Sequence, residues 1–348
     1  METLPYGAAA ALLGLFGGVV LGLAGRLAHF CTLGALESAV YGQDQSRLRM
    51  WGIVLGVAIA GVHMLVSTGR LDLAETIYHQ IKWNPIASIF GGLVFGYGMA
   101  LAGNCGYSAL TRFGGGDLRA LVLLVVMAIF GFITLNGPLS GIRLKLFPVE
   151  NADGASGIAY DLASMTPLSP MVVALSISTV FILWGLADAR LRAQPSRIFW
   201  AVMIGLSVVS AFWGTSYLRE ISFGETVVQG HTFVAPLGRT LLYLMTSSAG
   251  GLEFSVGSVL GVMLGAFIGS AIRHDFQWEA CEDPRELGRQ VTGAALMGIG
   301  GVVAMGCTIG QGVSGFSTLA WSAPVSLAAM AAGALMGLRQ LIHGFEPE

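Results

Sequence analysis

Nine apolar runs of helical length dominate this chain and leave little choice of fold. They lie near residues 7–29, 51–69, 85–104, 119–138, 170–189, 197–213, 252–272, 289–306 and 323–342. At 1.5 Å rise per residue, about 20 such residues cross the ~30 Å hydrocarbon core of a bilayer. Charged residues are 11% of the 348, against about 25% in a soluble globular chain. That is too few to coat a water-exposed surface, and the mean hydropathy of +0.73 agrees. The chain therefore reads as an all-α, polytopic transmembrane protein with about nine spans. It forms one membrane domain over residues 1–348, surrounded by membrane lipid, with no room for a soluble domain. The net charge of −2 and the lack of a basic run point to no nucleic-acid partner. Residues 1–7 carry Glu2 and no Lys or Arg, so the first run reads as a retained span and not as a signal peptide.

Four shorter helical pieces fit between the runs, near 32–41, 106–113, 215–222 and 308–320. They are too short to cross a bilayer. Non-helical backbone at membrane depth is tolerated only where protein buries it or a wet cavity solvates it. Each short piece thus reads as half of a re-entrant element.

An internal repeat organises the whole. With Cys31, Cys105 and Cys307 in register, Gly17, Gly91 and Gly293 stand fourteen residues earlier. Gly22, Gly96 and Gly298 stand nine earlier, and Ala28, Ala102 and Ala304 three earlier. Gly34, Ser108 and Gly310 stand three later. A fourth, degenerate copy at Gly205 and Ala211 puts Gly214 where a cysteine would be. Gly52-Ile-Val-Leu-Gly-Val also resembles Gly257-Ser-Val-Leu-Gly-Val. The chain divides into a first half, 1–150, a linker with one span, 151–194, and a second half, 195–348. Four spans plus one linking span make an odd shift, so the second half is expected to be inverted, as in many transporters. With nine crossings, eleven Lys and Arg fall on the side holding loops 42–50, 112–119, 190–197 and 273–289 and the C-terminus; six fall on the other side. The positive-inside rule then places the N-terminus outside and the C-terminus in the cytoplasm.

The cysteines carry the chemistry. Their settings are His29-Phe30-Cys31-Thr32-Leu33-Gly34, Gly103-Asn104-Cys105-Gly106-Tyr107-Ser108 and Met305-Gly306-Cys307-Thr308-Ile309-Gly310. Each stands at or just before the start of a short helix, where backbone N–H groups lack intrahelical partners and favour an anion. A helix N-terminus contributes about 0.3–2 kcal/mol, far less than the idealised ~20 kcal/mol of bringing a bare ion into low dielectric. Dipoles alone cannot carry an anion across. The route must stay partly wet or supply several charge-assisted hydrogen bonds of about 1.5–3 kcal/mol each. A thiol is a weak donor and a soft, polarisable group, which suits an anion with exposed sulfur. Singly, a membrane cysteine is usually a small hydrophobe; three in one repeat phase argue otherwise. A thiol-based metal or redox site is the alternative, but no Cys-x-x-Cys occurs and each thiol belongs to a separate unit. The sequence calls for no cofactor and no catalytic residue, so it reads as a transporter and not as an enzyme.

Neighbouring polar residues are secondary candidates. Asn104 and Gln311 can donate to an oxyanion; Thr32, Ser108 and Thr308 can cap the short helices or touch a solute, beside the small Gly34, Gly106, Gly306 and Gly310. Arg26 is an intramembrane cation, and Glu37 is its expected partner or a proton shuttle. Trp51, Trp83 and Trp278 read as interface anchors. Cys281, in the charged segment 279–286, reads as a loop thiol without function.

At Arg26–Gly34 with Cys31, Ala102–Gly115 with Cys105 and Gly300–Leu319 with Cys307, the chain resembles the YeeE/YedE family of bacterial thiosulfate transporters. The resemblance implies an hourglass of nine long and four short helices in the bacterial inner membrane. It implies that Cys31, Cys105 and Cys307 line the constriction and pass thiosulfate by S–H···S contacts. Some members are linked to selenium or to other sulfur species. Members often work with a small cytoplasmic sulfur-carrier protein bearing a reactive cysteine, which here would be a separate chain.

Overall fold

The computed structural model describes residues 6–152, 154–247, 251–280 and 283–344. Cys281 lies outside the described residues. Among those described the chain is helical and forms no strand; its only bridges are isolated pairs. The helices are α1 (Tyr6–Leu27), α2 (Thr32–Val40), α3 (Ser46–Ser67), α4 (Ile77–Gln80), α5 (Pro85–Ala102), α6 (Gly106–Gly114), α7 (Leu118–Leu135) and α8 (Ser140–Leu146). The rest are α9 (Ile158–Met165), α10 (Pro170–Leu186), α11 (Ala189–Arg192), α12 (Pro195–Ile221), α13 (Ala235–Thr246), α14 (Phe254–Arg273), α15 (Pro284–Val303) and α16 (Ser322–His343). A long helix lies at every one of the nine apolar runs.

Seven stretches are long and apolar enough to cross a membrane, and an eighth if α9 and α10, bent by 116°, form one span. The protein is therefore multi-pass. Helix α15 falls outside that group because its first turns carry Arg285, Glu286 and Arg289.

Several helices start where a polar cap precedes proline. Asn84 accepts from the amides of Ile86 and Ala87 ahead of Pro85, Ser169 from Val172 ahead of Pro170, and Asp283 from Arg285 ahead of Pro284. The cap satisfies an orphan donor, and proline has no N–H to lose at that position.

Packing rests on glycine. Helix α1 runs along α14, α5 along α15 and α16, and α3 along α10 and α12. Gly14, Gly18 and Gly22 of α1 face Gly257, Gly261 and Gly265 of α14. A Cβ at any of the six would strike a backbone carbonyl of the facing helix. No hydrophobic force joins helices in lipid, so close backbone approach supplies the attraction.

The loops gather into two groups at opposite ends of α5. Thr76 pairs with Val228 and Ile81 with Asn151, joined by the Arg219–Glu75 ion pair at 3.0 Å. At the other end Leu118 donates to the Glu279 carbonyl at 3.0 Å, and Arg190 to that of Gln43 at 3.3 Å.

Three expectations need correction. The expected break at Gly214 is absent: α12 runs unbroken for 27 residues, and 215–222 is its end. One glycine costs a helix about 1 kcal/mol, too little to stop a long apolar segment. The chain turns instead at Phe223 and Gly224, with φ of 52° and 92°. A non-helical segment then leads to the 12-residue α13. Val228, His231 and Phe233 of that segment are fully buried. The piece near 308–320 is not a regular helix either; its core, Gly310–Gly315, winds as a π-helix. Trp51 is no interface anchor: it is buried and stacks on Phe30 with ring centroids 4.8 Å apart.

Candidate solute site

The three cysteine units share a backbone device. Two residues before each cysteine the chain enters the left-handed region: His29 at φ 55°, Gly103 at 71° and Met305 at 57°. For a residue with a Cβ this costs about 1–2 kcal/mol. The turn ends the long helix and swings the cysteine to the head of the next segment. Cys31 and Cys105, in extended conformation, stand at the N-cap positions of α2 and α6. The Gly34 amide donates to the Cys31 sulfur at 3.5 Å, and the Gly310 amide to the Cys307 sulfur at 3.3 Å. Cys31 and Cys307 are thus tied to the backbone at their own helix breaks, whereas the Cys105 thiol makes no such cap bond.

Ser108 joins two of the units. Its hydroxyl donates to the Cys31 sulfur at 3.1 Å and lies 3.4 Å from that of Cys105. Cys105 and Cys307 are buried, while Cys31 is partly exposed. Cys307 has a different neighbour, the Thr232 hydroxyl at 3.8 Å. Among the described residues no three His, Cys, Asp or Glu side chains gather as a metal-binding group.

Buried polar atoms without protein partners collect at these units. They are the Thr32 and Thr308 hydroxyls and the side-chain oxygen of Asn104; the three residues are 8%, 0% and 3% exposed. A buried polar group left unpaired costs about 1–3 kcal/mol, so these positions suit water or a polar solute. Gln311 differs. Its amide donates to the carbonyls of Ala304 at 2.9 Å and Met305 at 3.4 Å, and its oxygen accepts from Ser322 at 3.4 Å. Both donors are spent on the end of α15, so Gln311 braces the break and offers nothing to an oxyanion.

Aromatic side chains surround the thiols. Phe30 meets Tyr107 at 6.2 Å between centroids, and Tyr107 meets Phe233 at 5.8 Å. The Tyr107 hydroxyl donates to the Leu21 carbonyl at 2.6 Å, and that of Tyr78 to the Gly310 carbonyl at 2.7 Å. Gly106 has no room for a side chain, since a Cβ there would strike Met127, and one at Gly310 would strike Thr232. Gly306 has φ 158°, and a Cβ at Gly34 would sit 2.9 Å from the Arg47 guanidinium.

Charge gathers beside Cys31. Arg26 pairs with Asp275 at 2.7 Å and not with Glu37, whose side chain is exposed. Arg273 reaches Asp275 at 3.6 Å and donates to His29 Nε2 at 2.9 Å. A guanidinium is always protonated, so His29 accepts through that nitrogen.

No motif in the sequence marks Thr232 or the segment that carries it. Gly224, and Pro236 in the first turn of α13, were the available signals for a turn and a helix start. Beside Thr232 lies a cavity of about 260 Å³, whose lining includes Met305, Gly306, Lys82, Arg143 and Arg239.

Comparison with known proteins bears on these features. The family model described as sulphur transport matches residues 27–336. The chain is similar to the thiosulfate transporter TsuA of Escherichia coli (strain K12), 23% identical over 340 residues, with 92% of each chain covered. It is also similar to the thiosulfate transporter TsuA of Spirochaeta thermophila, 26% identical over 325 residues, covering 89% of this chain and 92% of the relative.

Proposed function

The chain belongs to the sulphur transport family and is a transporter, not an enzyme; from that premise we propose that it takes up thiosulfate, or a related soft sulfur anion, across the bacterial plasma membrane. The observation that carries this reading is the contact of Ser108 with the thiols of Cys31 and Cys105, in a chain similar to thiosulfate transporters. In the proposed route Cys307, Cys105 and Cys31 line a constriction and relay the anion by S–H···S contacts.

The division of labour follows from magnitudes. A thiol is a weak donor and cannot by itself offset the desolvation of a dianion. Backbone amides at the breaks, the unpaired Thr32 and Thr308 hydroxyls and water balance the oxyanion end. The thiols meet the terminal sulfur, which sulfate and phosphate lack, and thereby select.

The architecture that accompanies this reading has nine crossings, four short re-entrant helices and an hourglass outline. Its halves, 1–150 and 195–348, are inverted about the linker 151–194. Support comes from the parallel order of elements: α1, α2, α3 and α5, α6, α7 in the first half, α12, α13, α14 and α15, Gly310–Gly315, α16 in the second. The end of α5 that joins Gln43, Leu118 and Asp275 carries the greater share of arginine and is assigned to the cytoplasm, where a sulfur-carrier protein would collect the product.

Uptake of labelled thiosulfate by a bacterium lacking its own sulfur uptake tests the proposal. Expression of this chain should restore uptake, and Cys→Ala at positions 31, 105 or 307 should abolish it while the protein still inserts. Unchanged uptake in all three variants would remove the relay.

A further inference from the structure

The cavity beside Thr232 carries a cation that no carboxylate balances among the described residues. Its walls hold three cations and, among the described residues, no Asp, Glu or His. Two of the cations are already paired: Lys82 with Glu150 and Arg239 with Glu253, both at 3.0 Å. Arg143, on the short helix α8, has no carboxylate partner among the described residues. Its Nε is buried without any hydrogen bond, and its Nη2 donates one long hydrogen bond to the Leu135 carbonyl at 3.5 Å. A partly buried guanidinium facing a cavity without an acid presents its donor fork to whatever enters, and that fork matches oxyanion geometry.

The cavity is also positioned for hand-over. Thr232 lines it, and the same hydroxyl lies 3.8 Å from the Cys307 sulfur. Met305 and Gly306, which set up the break before Cys307, also line it. Apolar walls from Val228, Val234 and Val302 lower the local dielectric and strengthen a charge contact there.

We propose that this cavity is a loading site for a divalent oxyanion, in which Arg143 holds the oxygen end while the sulfur end is presented past Thr232 to Cys307. The site deepens the transport reading and rests on it for the identity of the anion. It makes Cys307 the first thiol encountered from this face. Arg143 acts here as a binding residue whose loss weakens loading and leaves the later steps intact.

The test is the concentration dependence of initial labelled thiosulfate uptake by the full chain in proteoliposomes. Arg143→Gln should raise the half-saturating concentration about tenfold and keep the maximal rate within about twofold. Arg143→Lys, which keeps the charge but loses the fork, should raise it about threefold. Lys145→Gln, an exposed cation on the same helix, should leave it unchanged. Equal half-saturation in wild type and Arg143→Gln, or an equal rise in Lys145→Gln, would overturn the site. Calorimetric titration of thiosulfate onto purified wild type and the same variants separates this inference from the reading beneath it. If wild type takes up no thiosulfate, the substrate assignment fails, yet binding that weakens about tenfold in Arg143→Gln still supports the site. Binding equal in both proteins, or absent from wild type, overturns it. If Arg143→Gln does not fold, Arg143→Lys decides by the same two readouts.

Discussion

The Ser108 hydroxyl lies 3.1 Å from the Cys31 sulfur although 77 positions separate them in the chain. A contact of this kind exists only because two helix breaks converge, each aiming the head of a short helix at the other. It is also the point where the proposed relay is easiest to interrupt without removing a thiol.

Ser108→Ala deletes that bridge and leaves both cysteines in place. A neutral hydrogen bond contributes about 0.5–1.5 kcal/mol, so thiosulfate uptake should fall about threefold to tenfold at unchanged protein level in the membrane. Ser108→Cys supplies a third sulfur at the same point and should keep most of the rate. Full activity in the alanine variant would show that the contact plays no part.

Thr232 gives a second interruption, on the Cys307 side. Thr232→Val keeps the shape that Gly310 requires and removes only the hydroxyl. Uptake should drop by about threefold, and Thr232→Ser should recover it. Loss in the serine variant as great as in valine would point to packing in place of the hydroxyl.

The glycine seam between α1 and α14 predicts a stability effect. Gly257→Ala places a methyl group against the Ala11 carbonyl, and overpacking of this kind costs about 1–3 kcal/mol. A detergent-solubilised sample should melt several degrees lower. An unchanged melting curve would mean that the helices separate freely at this point.

Gln311 separates a brace from a solute donor. Gln311→Met keeps the volume but leaves the Ala304 carbonyl unpaired, at about 1–3 kcal/mol. The melting temperature should fall while the half-saturating thiosulfate concentration holds. A shift in half-saturation with no loss of stability would return Gln311 to the binding site.

The long helices were legible because apolar length is a local property, and so were the three cysteine breaks, since small residues recur around them in one phase. The fourth unit was not. Its register pointed to Gly214, yet a single glycine does not outweigh the flanking helix. The true break lies in a polar-looking segment around Glu225 and Gln229 that would pass for a surface loop. Its burial depends on distant partners: Ser258 for His231 Nδ1 at 2.7 Å, and Ser314, which donates to the His231 carbonyl at 2.8 Å. Arg26 failed for the same reason. Proximity in sequence favoured Glu37, whereas the partner taken, Asp275, is 249 positions away. Trp51 looked like an anchor because it opens an apolar run, and only the packing of Phe30 against it reveals an interior residue.

The left-handed turns before the three cysteines are not equal in stiffness. His29 and Met305 hold theirs with a Cβ, which leaves few other conformations that still satisfy the surrounding contacts, and Arg273 and Gln311 clamp those two bends from outside. Gly103 makes the same turn without a Cβ and with a much wider choice of backbone angles. Two of the three sulfurs therefore sit on fixed mounts and one on a hinge. In the proposed relay, displacement of a thiol as the anion passes would fall first to Cys105, the middle member of that route, which would give the row the mechanics of a rigid frame with one yielding tooth.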